Sequence, residues 1–132
     1  MRRTCLLLAA AIAACALSAT ASGATFAGSW TKKIAGGPAP LHGSWALHVG
    51  SGKFYVQKLP AAGHAVDGTV AVSGSTITFT DRSGPLACGG ATKVGRYTRK
   101  AGPNGSFRLT AVKDACAGRK LLLTSGAWNQ KK

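Results

Sequence analysis

The chain has 132 residues, with 17 basic side chains against 3 acidic ones, 18 glycines, 45% apolar and 7% aromatic residues. That length fits one small domain and leaves no room for a two-domain enzyme. The only acids are Asp67, Asp81 and Asp114, so chemistry that needs clustered carboxylates, such as glycoside hydrolysis or hard-cation binding, is disfavoured from the start.

The chain opens with Arg2 and Arg3, an apolar run from Cys5 to Leu17 that is too short to span a bilayer, and then small residues, which is the pattern of an export signal. Ala19-Thr20-Ala21 places small side chains where a signal peptidase needs them, so residues 1–21 are read as the signal, with a cut before Thr25 as a near alternative. A rival cut precedes Cys15, where Ile12-Ala13-Ala14-Cys15 resembles a lipobox and would leave a lipid anchor. No later stretch has spanning length. The expected location is secreted, periplasmic or cell-envelope.

Loss of residues 1–21 leaves 15 basic against 3 acidic side chains, a formal charge of +12, and two of the four cysteines. Cys88 and Cys116 are an even pair in an oxidising compartment, so they are expected to be bonded. The chain-entropy contribution of such a loop is roughly 3.5 kcal/mol. Zinc would need more ligands than these two, and no metal or cofactor is expected.

Residues 22–41 read as a Gly/Pro-rich leader and linker, because Ala35-Gly36-Gly37-Pro38-Ala39-Pro40 holds neither helix nor inner strand. Its apolar island from Phe26 to Ile34 leaves two uses open, a further strand or a plug for one end. From residue 42 to 132 no helical periodicity appears, whereas period-two alternation recurs between Gly-rich turns. Strands are predicted over His42–Val49, Lys53–Lys58, Ala65–Ser73, Thr76–Arg82, Lys93–Arg99, Ser106–Lys113, Arg119–Thr124 and from Ala127 onward. The inward face carries Trp45, Leu47, Val49, Phe54, Val56, Val66, Val70, Val72, Ile77, Phe79, Gly95, Tyr97, Phe107, Leu109, Ala111, Leu121 and Leu123. The fold class is all-β: an antiparallel up-and-down meander that closes into a small eight-stranded barrel, since an open sheet would expose its apolar face and its edges.

Gly43-Ser44-Trp45 heads the first strand of this meander. The run from Gly68 to Asp81 follows, then Ser83-Gly84-Pro85-Leu86-Ala87-Cys88, Gly95-Arg96-Tyr97, Asp114-Ala115-Cys116-Ala117-Gly118-Arg119 and a closing Trp128. In this order the chain resembles the small lipocalin-like, calycin-type domains of exported bacterial proteins, over Leu41 to Trp128. The resemblance implies an eight-stranded barrel in which an arginine late in the chain, here Arg119, covers the first-strand Trp45. Gly43, Trp45 and Arg119 are then structural. The chain is shorter than full lipocalins and lacks their C-terminal helix.

His42 and His48, six residues apart on one strand, would lie about 20 Å from each other, and His64 is read with them as a surface histidine. Asp81 and Asp114 sit at strand ends, where carboxylates accept backbone N–H bonds. No nucleophile elbow or phosphate loop is present. No catalytic residue is assigned; an enzyme would need two or more of His42, His48, His64, Asp67, Asp81 and Asp114 to converge in one cleft.

The expected function is therefore a non-enzymatic, monomeric barrel that binds a small hydrophobic or amphipathic molecule among Phe54, Val56, Val70, Phe79, Tyr97, Phe107 and Leu109. The alternative is a cationic envelope or matrix module whose Arg96, Lys100, Arg108 and Lys120 bind an anionic cell-wall polymer or polysaccharide. No aromatic residue interleaves with these cations, so specific nucleic-acid binding is not expected.

Overall fold

A computed structural model describes residues 26–131; the expected signal, its expected cleavage sites and the lipobox-like run at Cys15 lie outside the described residues. Eight strands form one antiparallel sheet: β1 Gly28–Ile34, β2 Gly43–Gly50, β3 Lys53–Leu59, β4 His64–Ser73, β5 Thr76–Ser83, β6 Val94–Ala101, β7 Phe107–Lys113 and β8 Asn129–Gln130. The spatial order is β7-β6-β5-β4-β3-β2-β1-β8. Each strand from β1 to β7 is thus hydrogen-bonded to its neighbours in sequence, and the last strand returns to the free edge of the first. The sheet curls into a half-barrel around an apolar concave face.

Alternation fixes that face, because side chains two apart share one side of a strand. Trp45, Leu47, Ile77, Phe79, Tyr97 and Trp128 are completely or almost completely buried. Rings of Phe54, Phe79 and Tyr97 meet edge to face at 5.0 and 5.8 Å. Val72 is the exception among the inward assignments, being more than a third exposed near the β4–β5 turn. Irregular pairing at Val56/Gln57, Asp67/Gly68 and Arg96/Tyr97 bends the sheet, as bulges do.

The island in the leader segment takes the strand option. β1 pairs with β2 over its whole length, Gly28 opposite Val49 and Ile34 opposite Gly43, so the sheet begins inside the stretch read as linker. Trp30, Lys32 and Ile34 point into the core.

Arg119–Thr124, expected as a strand, is a helix: α1 spans Ala117–Thr124. Leu121 and Leu123 mimic a strand alternation, but the buried positions are Arg119, Leu122 and Leu123, at i, i+3 and i+4, which is the spacing of one helical face. Ala, Arg, Lys and Leu also have high helix propensity. The expected number of strands survives because β1 replaces this one.

Past α1 the chain runs to β8. Just before it, Trp128 and Phe107 exchange both backbone hydrogen bonds, at 2.8 and 3.0 Å. The free edges of the curled sheet thus touch at one isolated bridge.

Candidate functional site

At the end of the sheet where β5 and β7 meet α1, a long and a short connection are tied across the mouth. Residues 84–93 join β5 to β6, and residues 114–116 lead from β7 into α1. Cys88 and Cys116 are disulfide-bonded across them, with Cα atoms 6.3 Å apart and a sequence separation of 28.

Beside the disulfide lies a buried ion network centred on Arg119. Its Nε and Nη2 donate to the two carboxylate oxygens of Asp114 at 2.8 and 2.6 Å, the two-pronged geometry that suits a guanidinium. Its Nη1 donates to the Lys93 carbonyl at 2.7 Å and its Nη2 also to the Thr92 carbonyl at 2.8 Å. Asp81 Oδ1 stands 3.1 Å from Nη1, but that oxygen has no aligned hydrogen bond. The other Asp81 oxygen accepts from the Cys88 amide, as Asp114 accepts from the Cys116 amide, which is the backbone role expected of both.

Tyr97 donates its hydroxyl to Asp114. Burial and the adjacent Asp114 push the phenol well above its ordinary range. Burial alone would raise the Asp114 carboxyl, yet hydrogen bonds from Arg119, Tyr97 and the Cys116 amide outweigh it and hold Asp114 below the usual carboxylate range. Arg119, opposed by burial but favoured by Asp114 and Asp81, is held above its usual range. Gly95 makes room for the pair: a Cβ there would lie 2.5 Å from Asp114 Oδ2 and 3.0 Å from Arg119 Nε.

Arg119 therefore does not cover Trp45. Two carboxylates and two carbonyls outbid an indole face, whose attraction for a cation is about 0.5 to 2 kcal/mol. The cation over Trp45 is Lys58, with Nζ 5.7 Å from the ring centroid, held there by the Pro40 carbonyl. Trp45 itself is fully buried and donates Nε1 to the Leu41 carbonyl. Gly43 has a φ of +125°, a conformation that favours glycine.

Between the network and the sheet lies a cavity of about 350 Å³, bordered by Trp45, Phe54, Val56, Val66, Leu122 and Leu123, with Asp81 and Arg119 also in its wall. Of the seven residues expected to line a ligand site, Phe54 and Val56 border it. Val70, Phe79, Tyr97, Phe107 and Leu109 instead fill the core. Leu122, Leu123, Asp81, Trp45 and Val66 border the cavity without being among the residues expected to line a ligand site, although Leu123, Trp45 and Val66 belong to the predicted inward face. The helical spacing of the first two was the available signal.

His48 and His64 belong to one aromatic stack. His48 and Tyr55 are directly opposed on β2 and β3 and stack at 4.4 Å; Tyr55 stacks on His64 at 3.7 Å. His64 contacts Asp67 at 2.8 Å, and Ser29 Oγ lies 2.6 Å from His48 Nδ1. Burial, with nearby Lys131 and His64, lowers the His48 pKa. This column lies on the outer surface, along a wide cleft of about 600 Å³ that also touches Lys53 and Arg82. His42 is apart from it, bonded to the Gly37 carbonyl.

Asp81, Cys88 and Cys116 place potential ligand atoms within 4.8 Å of one another, but both sulfurs are in the disulfide. The basic residues divide: Arg96, Lys100 and Arg108 are on β6 and β7, whereas Lys120 is on α1 beside Pro38 and Leu41. Comparison with protein-family models, curated proteins and solved structures finds no match for this chain.

Proposed function

We propose that this chain is an exported, non-enzymatic, lipocalin-like carrier. In this reading the sheet acts as a closed eight-stranded barrel sealed at the Phe107–Trp128 bridge and, as a monomer, holds a small amphipathic molecule under α1. The observation that carries it is the α1 cavity: its wall is mostly apolar and includes Asp81, one of whose buried oxygens lacks an aligned donor. Buried polar atoms are ordinarily satisfied, so the ligand expected here brings a hydroxyl or ammonium donor to Asp81 Oδ1. Its apolar body lies on Trp45, Phe54 and Leu123.

Charge points the same way. Two carboxylates share one guanidinium, which leaves a local surplus of negative charge inside a strongly basic protein. The volume matches about a dozen water-sized groups, near the lower bound for small-molecule sites. Asp114 is committed to Arg119, Tyr97 and the Cys116 amide, an arrangement suited to holding a ligand rather than transferring protons. The disulfide fits an oxidising compartment. Among the described residues no helix is long and apolar enough to cross a membrane.

The test is a thermal-shift and calorimetric series with alkyl chains of about eight carbons that differ only in the head group. The amine and the alcohol should bind and raise the melting temperature, and the carboxylate should not. Val66→Trp, which fills the cavity, should abolish both effects. Binding that survives this change, or that is absent for every head group, would refute the carrier reading.

A further inference from the structure

All three acids of the chain are already engaged: Asp81 and Asp114 with Arg119, and Asp67 with His64. None lies on the outer face of β5–β7. Register places Arg96 directly opposite Lys113, and Lys100 directly opposite Arg108, with all four side chains exposed. Like charges directly opposed across strands repel and destabilise a sheet. Two such pairs stand on one face with no carboxylate to relieve either.

Between them runs a neutral row, Thr76, Thr98 and Thr110, in direct cross-strand register. Thr78 continues the Arg96–Lys113 row. Arg96 and Lys100 are four residues apart on one strand, about 13 Å. The face is therefore two cationic bars separated by hydroxyls. The aromatic rings of these strands, Phe79, Tyr97 and Phe107, all point inward and are buried, so nothing here stacks on a base.

We infer that the outer face of β6–β7 is a binding surface for a linear polyol-phosphate polymer, whose phosphates seat on the two cation bars and whose hydroxylated spacer crosses the threonine row. Each bar pairs an arginine, whose planar fork suits phosphate oxygens, with a lysine acting as a point charge. A single anion reaches one bar only. A densely sulfated chain would lay charge over the neutral threonines, where no cation meets it. This surface is independent of the α1 cavity.

The full chain should be titrated calorimetrically with poly(ribitol phosphate), whose five-carbon spacer suits the separation of the bars, ribitol 5-phosphate, single-stranded DNA of equal phosphate number, and a sulfated polysaccharide, at several salt concentrations. The polyol phosphate should bind at least tenfold more tightly than the other three. R96Q/K100Q/R108Q/K113Q should lose at least tenfold in affinity and reduce the salt slope by about 3, the value for four phosphate contacts. K33Q/K53Q/K120Q/K131Q removes equal charge elsewhere and should stay within about threefold of the parent. The half variants R96Q/K113Q and K100Q/R108Q should each lose part of the affinity and melt no lower than the parent at low salt, since each removes one repelling pair. Equal losses in both quadruple variants, tighter binding of DNA or the sulfated chain, or a polymer no better than ribitol 5-phosphate would overturn the inference.

Discussion

Under α1 a buried guanidinium, two carboxylates and a disulfide hold the connections together, whereas at the Phe107 end three aromatic rings do so. There Phe26 stacks on Trp30 at 5.2 Å, and Phe107 meets both edge-on at 5.4 and 5.0 Å. Trp30 donates Nε1 to the Gly105 carbonyl, and Arg99 lies over the Phe26 ring at 5.0 Å. Rings fill volume as they seal it. An ion network is directional: it fixes positions without filling the space between them, and the apolar cavity lies on its side of the sheet. The stabilities of the two ends should accordingly depend on different solution conditions.

The largest contrast is expected from removing one member at each end. Arg119→Met leaves Asp81 and Asp114 buried without their cation and should destabilise by about 4 kcal/mol at neutral pH. Phe107→Ala should lose a similar amount, about 3 to 4 kcal/mol, through an unfilled core. Their pH dependence separates them. Asp114 is held below its unfolded value near 3.9, so its contribution is present above that pH and is lost as pH falls through the folded value. Urea unfolding from pH 7 to pH 2 should show the Arg119→Met deficit shrinking below about pH 4, with the Phe107→Ala deficit unchanged.

Redox conditions sharpen the same comparison. Cys88→Ala/Cys116→Ala should lower stability by about 3 kcal/mol and make the α1 connections exchange amide hydrogens faster. Protection around Phe107 and Trp30 should alter little. Equal loosening at both ends would mean that they unfold as one unit. Gly95→Ala addresses the ion network without touching a charge. The methyl group collides with Asp114 and Arg119, and a loss of about 2 kcal/mol is expected, together with a rise in the Asp114 pKa measurable by carboxyl NMR.

The unequal legibility of these ends in the sequence has a physical basis. The strands and inward side chains from Trp45 to Leu109 are readable because a period of two is a local signal. Aromatic packing at Phe107 follows once the faces are known. The α1 end depends on Asp81, Asp114 and Arg119, whose meeting is set by the curl of the sheet and has no local trace. Leu121 and Leu123 mimic a strand because two apolar residues at i and i+2 are too few to tell a period of two from one of 3.6. The resemblance singles out Arg119 but not its partners, since a motif names a residue without saying which neighbour competes best for it.

Lys32 lies between the two ends and tests the comparison at its smallest scale. It points into the core, 6% exposed, with Nζ 4.3 Å from the Trp128 ring centroid and donating to the Ser125 carbonyl at 3.1 Å. Burial pushes its pKa down to about 7. Between that value and the unfolded value near 10.4, the unfolded chain binds more protons than the folded one, so stability rises with pH across this window. Below pH 7 the penalty of burying the ammonium is complete. Lys32→Met keeps the length of the side chain and removes the charge, and should stabilise by about 1 to 2 kcal/mol at pH 6. The gain should fade toward pH 10, where Lys32 folds neutral. A gain that is flat with pH would show that the ammonium is solvated, and that the interior between the two ends is wetter than the packing of Trp30, Trp45 and Trp128 implies.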